Sequence, residues 1–77
     1  MELIITSIEP KTCDNIREVH VHFNDGKIVK IGTCDSSWAM WNAPMRYRWM
    51  AVGIANKCND WIHGVGEFPK FHNRQNS

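Results

Sequence analysis

Residues 43–63, APMRYRWMAVGIANKCNDWIH, decide the fold. Placed at about 100° per residue, Met50, Trp61, Ile54, Tyr47, Cys58, Ala51, Ile62 and Ala55 fall in one uninterrupted arc. An arc that wide is the core-facing side of a globular helix. Asn42 reads as its N-cap with Pro44 in the first turn, and His63-Gly64 as its end, with Gly64 at C′. The opposite side is unusual. A helix lying on one sheet should be polar there, yet Met45, Trp49 and Val52 sit together, Asn56 continues their line, and Arg46 and Asp60 run along one margin.

Working outward, the segment upstream carries a hairpin signature. Arg17–Phe23 and Lys27–Thr33 flank Asn24-Asp25-Gly26. A two-residue Asp25-Gly26 turn would set Val21 against Lys30 and Val19 against Gly32, mixing the faces. A three-residue loop, with Gly26 left-handed in a bulge, sets Val21 against Val29 and Val19 against Ile31. Because a one-residue slip turns every side chain to the other face, the second register is preferred. It collects Val19, Val21, Phe23, Val29 and Ile31 on one apolar face and leaves Glu18, His20, His22, Ile28 and Lys30 on a wet one. Further upstream, Leu3–Ile8 reads as a short strand closed by Glu9-Pro10, and Lys11–Asn15 as a loop with Asp14-Asn15 as turn formers.

Two segments remain. In Thr33–Asn42, Asp35-Ser36-Ser37 either caps a short helical turn holding Trp38, Ala39, Met40 and Trp41, or that stretch is an irregular loop at the core edge. In the C-terminal segment, Phe68-Pro69-Lys70-Phe71 sets two rings around a proline in extended backbone, suited to docking on the body. The expected architecture is α+β: a three-stranded antiparallel sheet with one long amphipathic helix on one face, in the order β-β-β-α. Residues 1–71 are expected to form a single domain and 72–77 a disordered tail.

With 77 residues, a single core is barely sufficient. Four Trp, three Phe and one Tyr supply bulk out of proportion to the length. The net charge of +1 is distributed unevenly, −2 over residues 1–35 and +3 over 36–77. That polarity is far short of the basic patch of a dedicated DNA binder. Cys13, Cys34 and Cys58 are odd in number and lack CxxC spacing, which argues against a disulfide framework and for a reducing compartment. MELIITSIEP has no signal-peptide pattern, and no run approaches the roughly 18 apolar residues that span a bilayer. A cytoplasmic protein without membrane contact is expected.

Four chemistries compete for these residues. For metal binding, His20 and His22 share a strand face, but Cys34 falls opposite Ile16 in this register. At roughly 3.3 Å per residue it lies about 13 Å from His20, too far for shared tetrahedral ligation. Cys58 falls in the core arc, where a thiol behaves as a small hydrophobe. For nucleophilic catalysis, Cys13 sits in a loop with no base fixed beside it and no oxyanion arrangement. No catalytic residue, metal or cofactor is therefore expected. For single-stranded nucleic acid or RNA, Arg46 and Arg48 stand near Trp38, Trp41 and Trp49, but phosphate binding needs more basic residues than this chain carries.

Protein recognition fits best. Interface cores favour Trp, Met and Arg over Lys and Glu. The candidate partner-binding residues are Met45, Arg46, Arg48, Trp49, Val52, Asn56, Trp38 and Trp41. The competing expectation is that Trp38, Trp41, Phe68 or Phe71 simply covers the strip. Arg46 and Arg48 at the positive end of the helix dipole, and Asp60 near the negative end, each oppose it by a few tenths of a kcal/mol. Selection for contact with something else is one explanation, and chance is the other. The expected function is a small non-enzymatic regulator or stoichiometric inhibitor, of the kind found among phage and mobile-element accessory proteins, that occludes a surface on another protein. A homodimer is a further possibility, and nucleic-acid binding is the alternative.

Overall fold

The computed structural model describes residues 2–32 and 39–71. Three strands, β1 (Ile5–Cys13), β2 (Ile16–Phe23) and β3 (Ile28–Gly32), form an antiparallel sheet in the order β1-β2-β3. The helix α1 (Met45–Ile62) packs on one face of that sheet. The β-β-β-α architecture is as the sequence pattern predicts.

The second hairpin takes the expected register, with Val21 opposite Val29 and Val19 opposite Ile31. Gly26 has φ +93°, which a side chain would strain. Its N–H donates to the Phe23 carbonyl at 3.0 Å, and the Phe23 N–H donates to the Lys27 carbonyl at 2.9 Å, closing the three-residue loop. The apolar face that this register builds is buried throughout: Val19, Val21, Phe23, Val29 and Ile31 all belong to the core.

β1 departs from the expectation. It does not stop at Glu9-Pro10 but runs through Pro10 to Cys13, with Pro10 opposite Val19, so Lys11–Cys13 is strand rather than loop. A proline removes one ladder donor, and an edge strand tolerates that because it is paired on one side alone. Asp14 and Asn15, with φ of 49° and 69°, make the whole connection to β2. Two consecutive left-handed residues match the right-handed twist of the flanking strands, and Asp and Asn accept that conformation better than most side chains. The pairing shifts between Ile5 and Ser7, so Ile5 and Ile8 both pack against the core although three positions apart. That irregularity hid the alternation in this strand.

α1 is shorter than the predicted 43–63. Pro44, with φ −53° and ψ 150°, itself occupies the N-cap position expected of Asn42. Its carbonyl accepts from the Tyr47 and Arg48 N–H groups at 3.0 and 3.1 Å. Having no N–H, proline loses nothing where the helix leaves donors unpaired anyway. At the other end Gly64 takes φ +84°, as expected at C′. The Gly64 N–H donates to the Trp61 carbonyl and the Val65 N–H to the Asp60 carbonyl, the paired bonds of a Schellman ending. Tyr47, Ala51, Cys58, Trp61 and Ile62 are buried, and Met50, Ile54 and Ala55 are half-buried against the core, so the predicted arc faces the sheet.

Residues 39–41 are helical, and Met40 and Ala43 are buried. The proposed Asp35-Ser36-Ser37 cap, Cys34 and Trp38 lie outside the described residues, as does the expected tail 72–77. Phe68 and Phe71 are half-buried, Phe68 edge-on to Trp61 at 5.0 Å and Phe71 5.8 Å from Phe68.

Candidate protein-recognition face

The first turn of α1 is held on both sides. On the sheet side, Tyr47 meets Phe23 edge-on at 5.0 Å, and its hydroxyl donates to the Asp25 carboxylate in the β2–β3 loop. Arg46 lies over the Tyr47 ring at 5.0 Å and donates to that hydroxyl at 3.2 Å. The Tyr47 hydrogen bond, then the Lys27 N–H and the charge on Arg46, hold the Asp25 carboxyl below its ordinary range. On the other side, Arg48 donates to the carbonyls of Trp41 at 2.6 Å and Ala43 at 3.1 Å, and its guanidinium lies 5.7 Å from the Trp41 ring centre. Arg48 thus fastens the turn at residues 39–41 to the helix.

At the far end of α1, Arg17 reaches from β2 to donate to the Trp61 carbonyl at 3.3 Å, its guanidinium over the Trp61 ring. A cation beside the last helical carbonyls complements the dipole there.

Between these two sets of contacts the outward side of α1 is open. Trp49 is 70% exposed, Trp41 58% and Met45 54%. Val52 is half-buried, and Arg46 and Asn56 are exposed. The alternative that the chain covers this strip fails for three of its four candidates. Phe68 meets Trp61 edge-on, Phe71 packs on Phe68, and Trp41 is itself exposed. The fourth, Trp38, falls outside the described residues.

Sequence reasoning passed over Gly53. It is exposed in mid-helix, and a Cβ built there would meet nothing within 4 Å. Alanine would make a better helix by about 1 kcal/mol at such a position. The fold therefore gives no reason for a glycine there, and an isolated glycine inside a helical pattern was the available signal.

The other candidates among the described residues lie apart from this face. On the open face of the sheet, His20 bonds Glu18 at 3.0 Å and His22 bonds Glu9 at 2.7 Å. No three His, Cys, Asp or Glu side chains among the described residues are placed to share a metal ion. Cys58 is buried, and desolvation pushes its thiol up from the usual value. Cys13, expected in a loop, ends β1 and is exposed, with its sulfur 3.7 Å from the Asp14 carboxylate. The shallow depression beside it is lined by Thr12, Asp14, Asn15 and Arg17 and holds no histidine. No helix among the described residues is long and apolar enough to cross a membrane.

Compared with protein-family models, curated proteins and solved structures, the chain matches none.

Proposed function

We propose that this chain is a small non-enzymatic binding module that acts by covering a surface on another protein with the outward side of α1. The observation that carries this reading is Trp49, 70% exposed on a helix whose first turn is held by Tyr47 and Arg48 and whose far end is held by Arg17. A free tryptophan on a helix held at both ends suits recognition, because burying its ring requires little side-chain ordering. Met45 and Val52 extend the apolar surface, and Arg46 and Asn56 supply a polar margin. Blocking a partner's surface needs no catalytic group, and a stoichiometric regulator or inhibitor needs nothing more than this face.

The single-stranded nucleic-acid reading has less support, because Arg48 is directed at the carbonyls of Trp41 and Ala43 and few other basic residues lie on this side of the helix. A salt titration against a labelled strand separates the two readings, since phosphate binding weakens steeply with salt.

The direct test uses wild-type and Trp49→Ala chains as baits in a lysate of the native host. Trp49→Ala keeps the fold, with stability within about 0.5 kcal/mol of wild type. It loses a captured protein by roughly 30-fold or more in affinity, as expected for a tryptophan hot spot. Identical capture by both folded baits would overturn the proposal.

A further inference from the structure

We infer that the outward side of α1 binds the same side of a second copy of this chain, with the two helices antiparallel and crossing at Gly53. This rests on reading that side as a protein-recognition surface, and it names an occupant.

The argument starts from spacing. In an antiparallel pair with its two-fold axis at residue 53, each position before Gly53 meets the position equally far after it on the partner helix. Arg46 and Asp60 are each seven residues from Gly53, and Trp49 and Lys57 are each four. The axis therefore sets Arg46 against Asp60 of the second copy twice over, and Trp49 against Lys57 twice over. Arg46, Trp49, Gly53, Asn56 and Asp60 follow the three-and-four spacing of a helix seam, and all five are exposed.

The shape agrees. Gly53, Asn56, Lys57 and Asp60 bound a four-residue hole of the kind that accepts one side chain from a facing helix. Gly53 leaves the floor of that hole open, since nothing lies within 4 Å of where its Cβ would be. Trp49, 70% exposed, is the knob at the right height to fill it. At the crossing point two glycines face each other, which lets the helices approach closely.

The charges agree as well. Each of Arg46 and Asp60 opposes the dipole of its own helix. In the antiparallel pair Arg46 lies over the C-terminal end of the partner helix and Asp60 over its N-terminal end, where both are favourable. A parallel pair would instead bring Arg46 against Arg46.

α1 has 18 residues and is about 27 Å long, so the seam buries a few hundred Å² per copy. That is the weak class of interface, formed only in concentrated protein. The face is free in dilute protein and masked in concentrated protein, and any other partner competes with the second copy for it.

Sedimentation equilibrium of the full chain, from about 1 µM to about 1 mM, tests this. Arg46→Asp and Asp60→Arg each weaken the dimer by about tenfold or more. The chain carrying both changes regains wild-type association within about threefold, because reversing both charges restores the pair. Gly53→Ala raises the melting temperature while weakening the dimer, an opposition that a merely structural glycine would not show. A chain that stays monomeric near 1 mM, single variants that associate like wild type, or a double variant that fails to regain association would each overturn the inference. If the chain is monomeric but Trp49-dependent capture persists, the inference falls and the proposed function stands. If the dimer and its charge rescue are observed without such capture, the reverse holds.

Discussion

Asp25 and Tyr47 show how a single contact joins two distant parts of the chain. The hydroxyl on α1 binds the carboxylate in the β2–β3 loop and is the main reason that carboxyl sits below its ordinary value of 3.8. A depressed carboxyl contributes stability above its unfolded value, and that contribution is lost as pH falls through the folded value. The expected result is that Tyr47→Phe is less stable than wild type near neutral pH, and that the gap narrows below pH 3.8. Urea denaturation at pH 7 and at about pH 2.5 checks this; a gap of constant size would mean the contact contributes nothing to the acid limb. Neither residue advertised the contact in the sequence. Tyr47 read correctly as a core position, but that its hydroxyl escapes to the loop depends on how far the hairpin reaches over the first turn of the helix.

The elements differ in how openly their sequences declare them. The β2–β3 hairpin was legible because alternation with a period of two and a glycine needing positive φ pointed to one register. At φ +93° Gly26→Ala should cost about 1–2 kcal/mol, measured by thermal or urea unfolding. An unchanged midpoint would show that the loop accommodates the side chain. α1 was equally legible along its length but not at its start, since Pro44 and Asn42 each suit a helix beginning and the choice rests on a backbone ψ of 150°. β1 runs past Pro10, where the local pattern points to a stop. Whether a proline ends a strand depends on whether the strand lies at a sheet edge, and that is a property of the assembled sheet. The bulge at Ile5–Ser7 further obscures the strand by breaking the alternation. For the candidate face, the helical pattern placed Trp49 opposite the core. Its exposure turned on where Phe68 and Phe71 settle, which no local pattern reveals.

At the scale of the whole molecule, the small core is extended by its C-terminal segment. Phe68 stands edge-on to Trp61, and Phe71 backs it, with the Lys57 ammonium 5.1 Å from the Phe71 ring. Phe68→Ala is expected to destabilise the fold by about 2–3 kcal/mol, somewhat less than a fully buried phenylalanine would, because the ring is half-buried. Chemical denaturation followed by Trp fluorescence measures it, and a loss under about 0.5 kcal/mol would place the ring outside the cooperative unit. The order β-β-β-α also has a consequence in time. During synthesis the sheet emerges first, presenting Val19, Val21, Phe23, Val29 and Ile31 with no helix to cover them. The residues from Gly32 to Ile62 follow at about 5–20 per second, so that apolar face waits roughly 1.5 to 6 seconds for its lid. Throughout that interval the nascent sheet is a substrate for chaperones and for other nascent sheets. Any delay between the emergence of β3 and that of α1 should therefore lower the soluble yield of a protein whose finished form is unchanged.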